Sequence, residues 1–570
     1  MSPSSAVALG LDFGTESVRA LLVDLEGNEH GSAVVDYAHG QITERLPGTG
    51  ELLPPDFALQ HPLDWIDSAA AAVRRALATG KIDPARVLSI GVDFTSCTML
   101  PTLADGTPLS VDARWAAQKF AWPKLWKHHG AKSQTDRINA VARERRERWL
   151  DRYGGTIGLE WFFPKILETL ENAPTVYDAT AIWLEAGDWF VWQLVGGEAA
   201  RLPRSTCQAG YKALWHSHGG FPSADFFRAV HPRLANVVAE KMPGRFLAPG
   251  QQAGRLTAAM AQRMGLPTGV PVSAAIIDAH AGVPGAGAAE PGTLVMVLGT
   301  SSCHMLNAVV ERSVLGVAGI VEGGILPGYF GYETGQAAVG DAFDWFRRLV
   351  NEPNFDRLTR SARELPPGAE GVTCVDWLNG CRTPLMDGSL TGAFGGLTLN
   401  HTAGHLYRAL MEASAFGLKW IVDLLRNSGV PVERFVATGG LPHHNPLLVQ
   451  IYADVLGEPI GVHPSKHGPA LGAAILGVLA AGPEAGGFAN SSQAIAAMAR
   501  PRATEGEQAV RIVSPNPDST RMYAALYANY MQLAATYIGA NAAKSAAEGV
   551  KAKLSDRLGP LGNGDRGILE

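Results

Sequence analysis

Cysteine is scarce. Cys97, Cys207, Cys303, Cys374 and Cys381 are the whole set, an odd number without a CxxC pair. That usage excludes a zinc-type cysteine cage and reads as reduced thiols of a cytoplasmic protein. Long apolar runs are also missing. The longest bland stretch, Ala470 to Gly482, is too short and too rich in glycine to span a membrane. The opening MSPSSAVALGLDFG has no charged segment ahead of its apolar run, which makes it a poor secretory signal. No long basic block occurs and the formal net charge is −6, which argues against a dedicated nucleic-acid binder. There is no GxxxxGK[ST] loop, since the Gly80-Lys81 pair lacks the rest, and neither HExxH nor GxSxG is present. The commonest phosphate loop and the commonest hydrolase chemistries drop out with them.

What is present is an ordinary globular composition at a length, 570 residues, that fits two domains or more. Apolar strand-like runs alternate with helix-like runs, so the expected class is α/β. Val7 to Phe13 and Val18 to Asp24 read as strands around the turn Gly14-Thr15-Glu16-Ser17, with a hairpin turn at Glu26-Gly27-Asn28 and a third strand over Ser32 to Tyr37. Asp64 to Leu77 reads as a helix capped by Asp64 and stopped by Gly80, and Val87 to Phe94 as a buried strand. A similar order recurs later. Thr293 to Leu298 and Cys303 to Asn307 flank Gly299-Thr300-Ser301-Ser302. Then come a strand at Arg434 to Thr438, a helix at Asn445 to Leu456, a strand at Pro459 to His463 and a helix at Ala470 to Ala481. The two turns are therefore expected to be equivalent parts of an internal duplication, with a boundary near Gly285 to Gly292. Arg143 to Arg152 reads as a solvated helix face. Asp518 to Ile538 reads as a docked helix with Tyr523, Tyr527 and Tyr530 at helical spacing, and the polar tail from Ala542 is expected to fray.

Four stretches carry chemistry. Asp12-Phe13-Gly14-Thr15 ends a buried strand in a carboxylate fit for Mg²⁺, followed by backbone N–H groups and a hydroxyl fit for phosphate. Gly299-Thr300-Ser301-Ser302 repeats that turn, so the two could grip one polyphosphate between two domains; each is equally an ordinary hairpin start. Asp278-Ala279-His280 follows the strand Pro271 to Ile277, a good place for a general base, or for a capping Asp with a structural His280. Gly439-Gly440 lets a flat base lie on the backbone, with Asn445 as nucleotide contact or helix cap. Two basic-aromatic clusters, Lys124 to His129 and Trp161 to Lys165, suit either a sugar pocket wall or the core face of a helix.

Together these residues resemble the FGGY carbohydrate kinases, of the actin, hexokinase and heat-shock-chaperone ATPase superfamily. The resemblance runs from Ala6 to about Ile538. It is strongest in Gly91 to Thr98, Lys124 to His129, Glu160 to Lys165, Ala209 to Lys212, Gly299 to Met305 and Gly331 to Gln336. It implies two ribonuclease H-like domains, of the actin/hexokinase ATPase type, around a central cleft: a sugar-binding domain at 1–285, a nucleotide-binding domain at 293–540 and a flexible tail at 541–570. It implies ATP and Mg²⁺ as cofactors, with Asp12 near the metal and Asp278 as catalytic base. Ser96, Lys212, Asp278 and Glu333 would line the sugar site. Thr15, Ser17, Thr300 and Ser301 would bind phosphate, and Gly340, Gly439, Gly440 and Asn445 the nucleotide. Arg382 to Gly396 departs from the family pattern at Asp387-Gly388 and receives no role. The expected reaction is phosphorylation of a ketopentose, foremost L-ribulose to L-ribulose 5-phosphate in L-arabinose catabolism. The alternatives are a related ketopentose, pentitol or deoxyketohexose, a chaperone-like or filament-forming ATPase, and a silent sugar sensor. The partners expected are a small-molecule sugar and ATP, with neither nucleic acid nor membrane; a homodimer is left open.

Overall fold

The computed structural model describes residues 6–465, 467–499 and 510–558. Two seven-stranded sheets organise it. The first holds β1 (Val7–Phe13), β2 (Ser17–Asp24), β3 (Glu29–Asp36), β4 (Val87–Phe94), β5 (Gln252–Arg255), β6 (Pro271–Ser273) and β7 (Ile276–Ile277). Its order is β3-β2-β1-β4-β6-β5, with β7 also on β4. The second holds β8 (Thr293–Leu298), β9 (Ser302–Ala308), β10 (Gly319–Glu322), β11 (Phe330–Gln336), β12 (Arg434–Thr438), β13 (Ile460–Val462) and β14 (Arg511–Val513), in the order β10-β11-β9-β8-β12-β13-β14. In each sheet an antiparallel hairpin, β1-β2 or β8-β9, is followed by a parallel neighbour, β4 or β12. The duplication expected from the two Gly-Thr turns is thus present in the sheet topology.

Six helices position the site: α1 (Pro62–Gly80), α2 (Thr206–Lys212), α3 (Asp278–Gly285), α4 (Gly340–Leu349), α5 (Ala403–Asn427) and α6 (Pro446–Leu456). Two more close the chain, α7 (Gly468–Ala481) and α8 (Pro517–Leu558). Residues 286–292 connect the sheets, yet α7, from the later half, lies on the earlier sheet. Its backbone is so close that a Cβ on Gly10 would meet the Ala470 carbonyl oxygen at 1.9 Å, and one on Gly91 the Ala473 oxygen at 1.7 Å. This explains the bland composition of Ala470 to Gly482: small residues let helix and sheet backbones touch. α7 also crosses α3, where a Cβ on Gly472 would fall 1.8 Å from the Ala281 oxygen. Gly91→Ala is expected to overpack this crossing and destabilise the fold by roughly 1–3 kcal/mol. An unchanged urea midpoint in the variant would contradict the packing described.

The period of two in a strand sorts β1 and β4 into faces. Leu9, Leu11 and Phe13, with Ile90, Val92 and Phe94, join the core under α1. Gly10 and Gly91 face α7, and Asp12 and Asp93 continue that same face at the carboxyl ends of the strands.

Several boundaries differ from expectation. Asp64 does not cap α1. Pro62, favoured in a first turn, starts the helix earlier, and His61 caps it by accepting from the Leu63 N–H. Gly80 is its last residue, and the stop is Lys81 in the left-handed region, φ 51°. β3 begins at Glu29. Arg143 to Arg152 is not one helix face: a helix ends at Glu144, Arg146 turns left-handed at φ 53°, and a tighter turn over Arg148–Tyr153 buries Trp149 and Tyr153. α8 docks as expected, with Tyr523 and Tyr530 buried against Phe416, but it runs on to Leu558 instead of fraying at Ala542. The alanine-rich sequence there favours helix. The rest of the tail, 559–570, lies outside the described residues. All five cysteines are free thiols, and no helix among the described residues is long and apolar enough to cross a membrane.

Candidate active site

Three carboxylates stand at the carboxyl ends of adjacent parallel strands. Asp12 and Asp93 are register partners on β1 and β4, and Asp93 is in turn the partner of Ile276 on β7, two residues before Asp278. Ends of parallel strands are where open α/β sheets place their ligands. Asp12 pairs with Arg19 Nη1 at 2.8 Å. Asp278 opens α3, its Oδ1 accepting the Ala279 N–H at 2.7 Å. Burial pushes the Asp278 carboxyl up to about 7; the Ala279 hydrogen bond opposes this, and the charges of Asp12 and Glu333 reinforce it. Asp93 is fully buried, and beyond the neighbouring Asp12 carboxyl neither of its oxygens has a hydrogen-bond partner. Burial, followed by the neighbouring Asp12 and Asp278, raises it well above the usual carboxylate range.

A second cluster spans the two sheets. Lys212, at the end of α2, donates to both Glu333 oxygens on β11, at 2.8 and 2.9 Å. Arg382 forms a close ion pair with the same carboxylate, and its Nη1 lies 3.5 Å from Cys303 Sγ. His280 Nε2 is 3.4 Å from Glu333, and Lys212 lies 5.3 Å over the Trp161 ring. Burial alone would raise the Glu333 carboxyl, but Lys212, Arg382 and His280 outweigh it and hold the group at about 2. The carboxylate charge is therefore fixed at neutral pH.

Lys124, His128 and Lys165 of the basic-aromatic clusters are scaffolding. Lys124 and His128 meet the buried Glu168 at 2.6 and 2.8 Å. Lys165 Nζ donates to the Cys97 and Leu125 carbonyl oxygens at 2.7 and 2.9 Å. Cys97 is left-handed at φ 57°, so Lys165 pins the turn that carries Ser96. Trp126 reaches the first Gly-Thr turn, its indole N–H donating to the Thr15 hydroxyl at 3.0 Å.

Both turns are closed by the N–H of their glycine, the second one residue more tightly than the first. The Gly14 N–H donates to the Ser17 carbonyl oxygen, and the Gly299 N–H to that of Ser301, both at 3.0 Å. The Thr300 carbonyl oxygen accepts from the Val339 and Asp341 N–H groups, which ties the second turn to the start of α4. A Cβ at Gly340 would meet the Gly299 oxygen at 2.5 Å, and one at Gly439 (φ 93°) the Leu298 oxygen at 2.5 Å. These glycines thus exist for close approach to the turn.

A model of the FGGY family of carbohydrate kinases, C-terminal domain, matches residues 294–481. A ribulokinase from Shouchella clausii is 45% identical over 538 residues, covering 92% of this chain and 94% of the relative. The chain belongs to the FGGY family of carbohydrate kinases. A ribulokinase from Mycolicibacterium smegmatis is 43% identical over 549 residues, 94% of each chain. Among solved structures, a xylulose kinase from Rhodospirillum rubrum is similar at TM-score 0.76 and 24% identity, covering 94% of this chain and 99% of that one. A glycerol kinase from Plasmodium falciparum, solved with ADP, is similar at TM-score 0.73 and 17% identity, covering 92% and 97%. These two likenesses concern the fold, the two-domain ATPase architecture.

In this FGGY kinase the structure joins Lys212 to Glu333 directly and sets both within electrostatic reach of Asp278, which in turn senses Asp12. Thr15 and Ser17 share the first turn with Asp12. Thr300, Ser301, Gly340 and Gly439 gather around the second, and Gly440 begins the short helix Leu441–His444. Ser96 sits half-buried in the turn after β4, and the Lys212 cluster forms without it. Asn445 is turned inward: its Oδ1 caps α6 through the Leu448 N–H at 3.2 Å, and its Nδ2 approaches Met411 Sδ. Sequence reasoning missed Asp93, Arg19, Arg382 and a contact role for His280. Asp93 had a signal, since it shares parity with Gly91 in a strand parallel to β1. Arg382 had none, because 49 residues separate it from Glu333.

Proposed function

We propose that the protein transfers the γ-phosphoryl group of ATP to the terminal hydroxyl of L-ribulose, giving L-ribulose 5-phosphate. The observation that carries this reading is the Lys212–Glu333–Arg382 cluster beside Asp278. Its support is the identity of 42–45% over 92% of the chain to five proteins named ribulokinase. Asp278 accepts the proton of the attacking hydroxyl. Glu333 accepts hydrogen bonds from sugar hydroxyls, and Lys212 and Arg382 donate to sugar oxygens. The backbone N–H groups of the two Gly-Thr turns hold the phosphates. Mg²⁺ suits the oxygen-only donors at the strand ends. Bound with ATP, it offsets charge on the phosphate oxygens, and Asp12 is the residue that would hold it. Closure of the cleft excludes water as a competing acceptor.

ADP release measured with L-ribulose, D-ribulose, L-xylulose and ribitol tests the substrate. The highest kcat/KM is expected with L-ribulose; a higher value for another sugar would replace it. The pH dependence tests the base. Because Asp278 titrates at about 7 and acts ionised, kcat/KM should fall with acidity below that point, by about tenfold per pH unit, and level off above it. A flat profile from pH 5 to 8 would remove Asp278 from the role.

A further inference from the structure

We propose that Asp93 is a further carboxyl of the magnesium site, supplying acceptor oxygens to the ion beside Asp12. The proposal rests on the reading of this cleft as a Mg²⁺–ATP site. Its first support is the unmet demand of Asp93 itself. The side chain is wholly buried, and beyond the adjacent Asp12 carboxyl neither oxygen has a hydrogen-bond partner, an arrangement proteins rarely retain unless a ligand satisfies it. A carboxyl placed only for packing would be better served by a serine or an apolar residue at the same position.

The second support is placement. Asp93 and Asp12 are register partners on parallel strands, so their side chains leave the same face of the sheet side by side. Asp278 follows β7, the strand on the other side of β4. Among the described residues, the cation paired with this group is Arg19, bound to Asp12 through Nη1, while its own Nε is buried without a partner. The adjacent Asp12 and Asp93 carboxyls together offer more acceptor oxygens than this one guanidinium uses, which is the donor set a divalent cation takes. Magnesium prefers such oxygen-only surroundings, using few protein carboxylates together with phosphate and water.

Mn²⁺ binding, followed by the loss of the free-ion paramagnetic resonance signal in the presence of ADP, tests the proposal without turnover. Asp93→Asn should weaken Mn²⁺ at least tenfold while leaving the thermal midpoint of the metal-free protein at or above that of the parent. Mn²⁺ affinity within threefold of the parent would overturn the proposal, as would weaker binding fully matched by loss of fold in both Asp93→Asn and Asp93→Ser. Asp12→Asn serves as reference. If it weakens Mn²⁺ and the Asp93 variants do not, Asp93 alone is misassigned. If Asp12→Asn has no effect either, the reading of the cleft as a metal–nucleotide site fails with it.

Discussion

Asp278→Asn lowers turnover by roughly a hundredfold or more, the scale of a lost general base. The amide keeps the size of the side chain and can still accept the Ala279 N–H, so α3 starts as before. What it loses is the capacity to take a proton. The buried position suits this residue to proton transfer. Burial and the nearby acids bring its titration to about 7, where an appreciable fraction is ionised at neutral pH and still basic enough to accept a proton. The loss should fall on kcat, with KM for sugar changed little, because Lys212, Glu333 and Arg382 remain to bind it. Steady-state kinetics with sugar and ATP varied in turn check this. Turnover within a few fold of the parent would assign the proton to another group.

Glu333→Gln is expected to lower kcat/KM for the sugar by about ten- to a hundredfold, the worth of a charged hydrogen bond. The carboxylate holds two cations from different parts of the chain, Lys212 on α2 and Arg382 beyond β11, and faces His280 as well. An amide there can still accept one hydrogen bond but leaves both cations without a counter-charge in a buried site. KM for sugar should therefore rise far more than KM for ATP. The penalty should be greatest for L-ribulose and smaller for sugars that lack the matching hydroxyl. Equal penalties for L-ribulose, D-ribulose, L-xylulose and ribitol would mean that the cluster shapes the cleft without reading the sugar.

Much of this site was legible in the sequence because it follows local rules. Asp12 and Asp278 end apolar strands, and the Gly-Thr turns sit between strands whose pairing a period of two already implies. Gly439 ends a strand in the same way, whereas Gly340, Lys212 and Glu333 were reached only through the family resemblance. The helix start at Pro62 instead of Asp64 reflects a proline preference that competes with the better-known Asp cap. Arg382 lay beyond such rules: it sits in a loop, and two helices and a short strand separate it in sequence from its partner Glu333 on β11. The Gly- and Ala-rich helix α7 shows the same limit. Its composition spoke against a membrane span, but only the three-dimensional crossing with β1, β4 and α3 shows why its residues are small.

The rival from the same superfamily, a chaperone-like or filament-forming ATPase, needs the two phosphate turns but neither Asp278 as base nor the charged cluster around Glu333. The decisive measurement follows the fate of the γ-phosphoryl group. With ATP, Mg²⁺ and L-ribulose, phosphorus NMR should show ADP and a phosphate monoester on carbon 5 of the sugar in equal amounts, with little inorganic phosphate. Release of inorganic phosphate at the same rate with and without sugar would contradict the account.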